Sequence, residues 1–234
     1  VKLKAMDFAR YDTRGYPTLP VRDGYAAWAA SYDDTVLDLM DLRIAEALTT
    51  VDWAGCGAAV DLACGTGRVG AWLRERGVAT VDGVDVTPAM LARARVRGAY
   101  RRLAEAEVAA TGLPTGAYGL VCQSLADEHL PQLAPLYREA ARLAGPGGLF
   151  VLLGYHPWFL MTGMAAHFED GSGRTVAIES YVHLFSDHVA AAHAAGWRLQ
   201  ELKEGLVDEA WIGAKPKWAP YRDRPISFGF VWSR

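Results

Sequence analysis

Val60-Asp-Leu-Ala-Cys-Gly-Thr-Gly-Arg-Val-Gly70 decides how the rest of the chain is read. A short apolar run ends a buried strand, about Ala58–Leu62, and carries one acid, Asp61. Gly65-Thr66-Gly67 then turns the chain into a helix that starts near Arg68 and stops at Gly77, a normal position for a helix-ending glycine. Without a Cβ the glycines let the backbone bend sharply and come within contact distance of a ligand. The loop also opens onto a helix N-terminus, whose first N–H groups have no partner inside the helix. Gly65, Gly67 and Gly70 fit the G-x-G-x-x-G pattern, which alone is a weak signal. Asp61 separates the readings. A pyrophosphate needs no carboxylate beside it, whereas a ligand carrying an ammonium group does.

Composition sets the frame around this stretch. The chain has 234 residues, 51% of them apolar, enough for one large α/β domain or a domain with a small cap. The net charge is −3 with acids and bases interspersed, which argues against a nucleic-acid surface, since that would show as a basic stripe. Cys56, Cys64 and Cys122 form no C-x-x-C pair and predict reduced thiols in a cytoplasmic protein. No apolar stretch approaches the roughly 18–20 residues of a membrane span. Asp7 and Arg10 stand where a signal peptide would need its apolar segment.

Outward from the glycine loop, Val78–Val86 reads as a second strand, and its last acid, Asp85, follows Gly67 by 18 residues. In open parallel sheets ligands sit beyond the carboxyl ends of the strands, so the loop and this acid face one crevice. Thr87 and Pro88 predict an N-cap and first turn for the next helix, which carries Met90. A short third strand ends near Glu107, and Tyr118–Ser124 forms a fourth. A helix over Pro131–Leu143, the turn Gly145-Pro-Gly-Gly and a fifth strand, Leu149–Leu153, follow. A helix over 180–195 leads to a sixth strand from Gly196, and Pro225–Trp232 alternates as a seventh. Upstream, Tyr25, Trp28 and Tyr32 share one helical face, and Thr35–Thr50 reads as an amphipathic helix. The segment Trp211–Tyr221, with Lys215, Lys217 and Trp218, reads as a loop that reaches the pocket or a second subunit. His183, His188 and His193 stand five apart, about 140° around a helix, so they share no face and predict no metal site.

Asp61-Leu-Ala-Cys-Gly-Thr-Gly-Arg68 resembles motif I of the class I S-adenosylmethionine-dependent methyltransferases, and Val84-Asp-Val-Thr-Pro-Ala-Met-Leu91 resembles their second motif. Arg142-Leu-Ala-Gly-Pro-Gly-Gly-Leu-Phe-Val151 is similar to the family's helix–turn–strand signature. The resemblance implies a Rossmann-like α/β fold: a seven-stranded, mostly parallel sheet with an antiparallel last strand and helices on both faces. It implies a lid segment over residues 1–34 with a lid helix, and a methyltransferase domain over residues 35–234. An insertion at about 155–180 would shape the acceptor pocket.

For the cofactor, the resemblance places Asp61 near the ammonium group and the backbone at Ala63, Cys64, Gly65, Thr66 and Gly67 against the methionine part. Asp85 would take the ribose, Val86 and Met90 would pack near the adenine, and Glu107 with Val108 would meet the adenine edge. Gln123, Ser124 and Leu125 would emerge beside the transferable methyl. Tyr16, Tyr25, Trp28 and Tyr32 would close over the cofactor. Gly119 stands where relatives usually have Asp, which puts a polar interaction at that strand's start in doubt.

The acceptor pocket would take Tyr155, His156, Trp158, Met161, Met164 and Phe168 as walls. Histidine has the right unperturbed pKa for a base, and His156, then His129, then His183 are the candidates. The implied activity is methyl transfer to O or N of a small-molecule metabolite or natural product, by a monomer or homodimer, with S-adenosylhomocysteine as product. The alternatives are an RNA or protein methyltransferase and a cofactor-binding partner subunit without activity. Against RNA stands Gln123-Ser-Leu-Ala in place of an N-P-P-Y type tetrapeptide.

Overall fold

The computed structural model describes residues 6–164 and 166–234; residues 1–5 of the expected lid segment and residue 165 of the expected insertion lie outside the described residues. The strands are β1 (Met6–Asp7), β2 (Thr18–Leu19), β3 (Ala58–Leu62), β4 (Thr80–Asp85), β5 (Arg102–Glu105), β6 (Tyr118–Ser124), β7 (Ala144–Tyr155), β8 (His167–Glu169), β9 (Thr175–Ile178), β10 (Tyr181–Val182), β11 (Arg198–Leu206) and β12 (Pro225–Ser233). The helices are α1 (Val21–Trp28), α2 (Tyr32–Thr35), α3 (Leu42–Ala47), α4 (Arg68–Glu75), α5 (Pro88–Arg97), α6 (Ala134–Leu143), α7 (Pro157–Met161), α8 (Phe185–Ala194) and α9 (Glu209–Ala214). None of them is long and apolar enough to cross a membrane.

Seven strands pair in the order β11-β12-β7-β6-β3-β4-β5. β3, β4, β5, β6 and β7 run parallel, while β12 is antiparallel to both β7 and β11. Order reverses at β3, so the crevice between the carboxyl ends of β3 and β6 is the switch point where such sheets bind ligands. The central strands are buried on both sides, and alternate residues feed two cores. Val60, Leu62, Val121, Phe150, Leu152, Phe228 and Phe230 pack toward α6 and α8, against Leu136, Tyr137, Ala140 and Ala192. Ala59, Leu120, Cys122, Val151, Leu153 and Val231 pack toward α3 and α4, against Ile44, Val69, Trp72 and Leu73.

Two close approaches explain glycines in this frame. A Cβ on Gly119 would sit 2.1 Å from the Cys56 carbonyl oxygen, so the residue that departs from the family pattern is dictated by a backbone crossing. Tyr100 lies in a slot formed by three glycines: added Cβ atoms would fall 2.9 Å from its ring at Gly67, 2.3 Å at Gly70 and 2.8 Å at Gly83. Gly70 therefore makes room for a ring of the chain itself.

The N-terminal segment and the insertion after β7 build a cap together. β2 pairs in parallel with β9, which pairs antiparallel with β8, and β1 pairs with β10. Trp28, Phe168, Val176 and Ile178 form its own apolar cluster.

Four local expectations are corrected. Thr35–Thr50 is not one helix: Val36 is extended at φ −93° and ψ 117°, and helix resumes only at Leu42. Asp41 is the reason, because its carboxylate caps Leu42 N and pairs with Arg68, so an ionic anchor overrides helical periodicity. The expected 180–195 helix begins only at Phe185, because Tyr181–Val182 form β10, recruited by pairing with β1. Trp211–Tyr221 is not a loop but α9 followed by a 3-10 turn, held by Asp208 accepting from Trp211 N. Thr87 precedes α5 without a side-chain cap; its backbone N–H donates to Asp85 instead.

Gly70→Ala should test the tyrosine slot. Overpacking against Tyr100 should lower unfolding stability by about 1–3 kcal/mol, although alanine is the better helix former, and Tyr100→Ala in the same chain should recover part of that loss. An unchanged melting curve would contradict the packing described.

Candidate active site

A cavity of about 300 Å³ opens where β3, β4 and β6 end. Its walls include Ala63 and Gly65, then Asp85, Val86 and Met90, then Glu107 and Val108, then Gln123, Ser124 and Leu125. Asp85 organises this edge. One carboxylate oxygen accepts from Gly65 N at 2.8 Å and the other from Thr87 N at 2.8 Å. Burial pushes its pKa up, and those N–H groups oppose the shift. Ala63 (φ 56°) and Leu125 (φ 50°) are non-glycine residues with left-handed backbone, and both line the cavity. Strain of this kind collects at ligand edges because the surrounding structure must hold it in place. Gly65 is also left-handed (φ 53°), with nothing within 4 Å of where a Cβ would stand.

Several residues expected at the cofactor lie behind the loop rather than on the cavity wall. Asp61 is 1% exposed; one oxygen accepts from the Tyr100 hydroxyl at 2.7 Å and the other has no partner. Burial pushes its carboxyl up to about 7 against the opposing tyrosine hydrogen bond. Cys64 is buried and its N–H donates to Val84 O. Thr66 donates its hydroxyl to Asp33 Oδ1 at 2.5 Å, and Gly67 (φ 89°) starts α4. Arg97 bridges the same two elements, reaching Thr66 O at 2.9 Å and Asp33 Oδ2 at 2.7 Å. The Tyr32-Asp33 pair thus ties the N-terminal segment to the glycine loop.

The aromatic face of the N-terminal segment divides two spaces. Tyr25 and Tyr32 line the first cavity. Tyr16 and Trp28 line a second one of about 780 Å³ instead, together with Tyr155, Met164 and Phe168. Trp28 bridges the two groups, stacked on Tyr25 at 5.9 Å and edge-on to Tyr32 at 4.9 Å. Trp158 and Met161 line neither cavity and pack in the apolar cluster around α7.

The histidines divide similarly. His156 lies outside both cavities, where its Nδ1 accepts from Trp158 N to cap α7 and its Nε2 meets Glu204 Oε1 at 2.9 Å. His183 is also outside, donating from Nε2 to Leu130 O at 2.7 Å. His129 lines the first cavity. Its Nδ1 lies 2.6 Å from Glu179 O, and a carbonyl only accepts, so the proton is on Nδ1. Nε2 is then an acceptor, 2.8 Å from the Tyr25 hydroxyl. Burial lowers its pKa from the usual imidazole value, so the ring is neutral at pH 7.

Tyr100 and the wall residues Arg22, Leu130 and Pro131 were not anticipated from the sequence. Gly67 and Gly70 at the start of α4 and Gly83 in β4 converge on Tyr100 only in three dimensions.

Comparison with known proteins agrees with this fold. Residues 60–152 match the family described as a methyltransferase domain. The chain is 30% identical over 199 residues to the malonyl-[acyl-carrier protein] O-methyltransferase of Halorhodospira halophila, covering 82% of this chain and 63% of that protein. It is 34% identical over 137 residues to human methyltransferase-like protein 27, covering 55% of each. The chain therefore spans about half to two thirds of the length of these curated relatives. The crystal structure of an S-adenosylmethionine-dependent methyltransferase from Mesorhizobium loti superposes with a TM-score of 0.63 at 26% identity, over 91% of this chain and 99% of that one.

The raised Asp61 carboxyl makes a pH prediction. The folded state holds this proton up to about pH 7, while the unfolded chain releases it near 3.8, so Asp61 costs stability as pH rises through that window. Asp61→Asn keeps the shape and an acceptor for Tyr100 and removes the cost. Its melting temperature should gain on the parent's between pH 5 and pH 8. A constant difference across that range would contradict the buried, half-satisfied carboxyl.

Proposed function

We propose that this chain, a member of the class I S-adenosylmethionine-dependent methyltransferases, transfers a methyl group to an oxygen or nitrogen of a small molecule. The observation that carries the proposal is the pairing of two cavities across the Tyr25–Trp28–Tyr32 wall, one holding Asp85 and Glu107 beside the glycine loop, the other holding Tyr155 and Phe168. The residues present fit the adenosyl compound. Asp85 suits ribose hydroxyls, since each of its oxygens keeps a lone pair after accepting one N–H. Glu107 and Val108 suit the adenine edge and Val86 and Met90 its face. Asp61, buried behind the loop with one oxygen unpartnered, favours an ammonium group from behind the loop rather than by contact. When bound, S-adenosylmethionine supplies an activated methyl on a sulfonium.

The chain's own residues then align the acceptor and exclude water, and positioning alone can supply on the order of 7–11 kcal/mol of the barrier. Among the histidine candidates, His129 best suits the role of base. The acceptor's proton passes to the Tyr25 oxygen as Tyr25 passes its own to His129 Nε2. Glu128 Oε1 lies 3.6 Å from that nitrogen, with no hydrogen-bond partner of its own. The N-terminal segment, tied down through Asp33, closes the first cavity as a lid. The unpaired cysteines support a reducing, cytoplasmic setting.

Incubation with methyl-labelled S-adenosylmethionine and a whole-cell extract, separated afterwards into low-mass, RNA and protein fractions, tests the proposal. Label should enter a small molecule with the parent chain and should fall by at least about a hundredfold with His129→Gln, the usual scale of a lost general base. The parent's rate should be level above neutral pH and fall only below the lowered imidazole pKa, as protonated His129 can no longer accept. Label appearing only in RNA or protein, or an unchanged rate in His129→Gln, would overturn the substrate class or the assigned base respectively.

A further inference from the structure

The turn after β6 buries two adjacent acids with no strong base beside them. Asp127, Glu128 and His129 form one 3-10 turn, and all three are buried. Among the described residues no lysine or arginine pairs with Asp127 or Glu128; their ion-pair neighbours are histidines. Asp127 Oδ1, both Glu128 oxygens and His188 Nε2 are buried, and as an ionised pair the acids leave all four atoms without a hydrogen-bond partner. Gly154 on β7 leaves room for the turn, since a Cβ there would sit 2.5 Å from Asp127 Oδ1.

One proton accounts for this cluster. Two ionised carboxylates only accept, so neither can satisfy the other. A protonated Glu128 donates to Asp127 instead, and burial, then the Asp127 charge, push the Glu128 carboxyl well above the usual carboxylate range. The negative charge then rests on Asp127. Its Oδ2 lies 3.4 Å from His188 Nε2, and the same ring meets the Tyr137 hydroxyl through Nδ1 at 3.0 Å. With Tyr137 donating to Nδ1, the His188 proton stands on Nε2 and faces that charge. His183 also faces Asp127 and donates from its own Nε2 to Leu130 O. At the other end of the turn, Glu128 Oε1 is 3.6 Å from His129 Nε2, the nitrogen that accepts from Tyr25. Tyr25, Tyr32 and Tyr155 face Glu128 from the N-terminal segment and β7, and burial keeps all three hydroxyls neutral. The exposed Glu179 carboxylate acts on His129 as well.

We propose that Asp127 and Glu128 share a single proton and serve His129 as a mobile counter-charge. When His129 takes the proton relayed by Tyr25, the Glu128 O–H bond breaks and an Asp127 O–H bond forms. The pair keeps one negative charge throughout, now on Glu128 beside the imidazolium. When His129 releases its proton to solvent, the shift reverses. An opposite charge this close favours the charged ring by roughly one to three pKa units. Asp127 and Glu128 line neither cavity and are positioning residues, acting through a ring that lines the first. This role rests on the assignment of His129 as base.

Ring-nitrogen NMR of the histidines in the whole chain tests this, with His129→Gln identifying the His129 signals. Glu128→Gln keeps the shape and a donor for Asp127 but holds the charge on Asp127, away from the ring. The His129 pKa should then fall by at least about one unit from the parent's. A permanently neutral, merely structural Glu128 gives no shift, since glutamine is equally neutral, and that result would overturn the proposal. If circular dichroism shows that Glu128→Gln does not fold, Asp127→Asn, which takes the negative charge out of the pair, must produce a fall of the same size. Infrared difference spectra locate the proton. At about pH 8, above the Asp61 window, parent minus Glu128→Gln should contain the carbonyl band of a protonated carboxyl. A carboxylate band in its place means two ionised acids and overturns the sharing. Neither readout uses a methyl donor or acceptor. An unmoved His129 therefore sinks the acid pair and leaves methyl transfer to its own assay, whereas a shifted His129 with no labelled product does the reverse.

Discussion

Asp85 holds the ligand edge of the sheet together. Its two oxygens accept one N–H from the glycine loop after β3 and one from the turn that starts α5. Two chain reversals that would otherwise be independent are thereby set at a fixed distance. The carboxylate is buried, so its charge is affordable only because donors already point at it. The same donors keep it aimed at the crevice. The left-handed backbone at Ala63 and Leu125 stands on that edge as well, where the surrounding packing must hold it.

The N-terminal segment is fastened to this edge by charge. Asp33 engages both the Thr66 hydroxyl and Arg97, and Asp41 engages Arg68 and the Ser124 hydroxyl. The Asp41–Arg68 pair is buried and the Asp33–Arg97 pair half-buried; a buried pair contributes little net stability, because desolvation offsets its attraction, but it punishes misplacement heavily. Both pairs therefore fix where the aromatic wall of Tyr25, Trp28 and Tyr32 stands rather than how firmly the chain folds. That wall separates the space holding Asp85 and Glu107 from the space holding Tyr155 and Phe168. The cap on the other side is built from pieces distant in sequence, β2 with β9 and β1 with β10.

Residues that act through local sequence were legible in advance. β3 and β6 occupy Ala58–Leu62 and Tyr118–Ser124 as read from their apolar runs, and the glycine at 77 ends α4. The parallel sheet with its antiparallel end was implied by the family resemblance of the motifs. Tertiary partners defeated the rest. Nothing within Thr35–Thr50 announces that Asp41 leaves the helix to meet Arg68 and Ser124. Nothing near Tyr181 announces that its strand partner is Met6–Asp7. The histidines show the limit most clearly. His156 and His129 are equivalent as residue types, yet one caps a helix and the other opens onto a cavity, and only the three-dimensional path of the chain separates them.

The central claim is that Asp85 and the Gly65 loop together form the seat of an adenosyl ligand. Titration calorimetry with S-adenosylhomocysteine reads it most directly. The parent chain should bind one equivalent, and Asp85→Ala, checked for retained secondary structure by circular dichroism, should bind at least about thirtyfold more weakly, since a charged acceptor for two hydroxyls is lost. No heat with the parent, or undiminished affinity in the variant, would contradict the account.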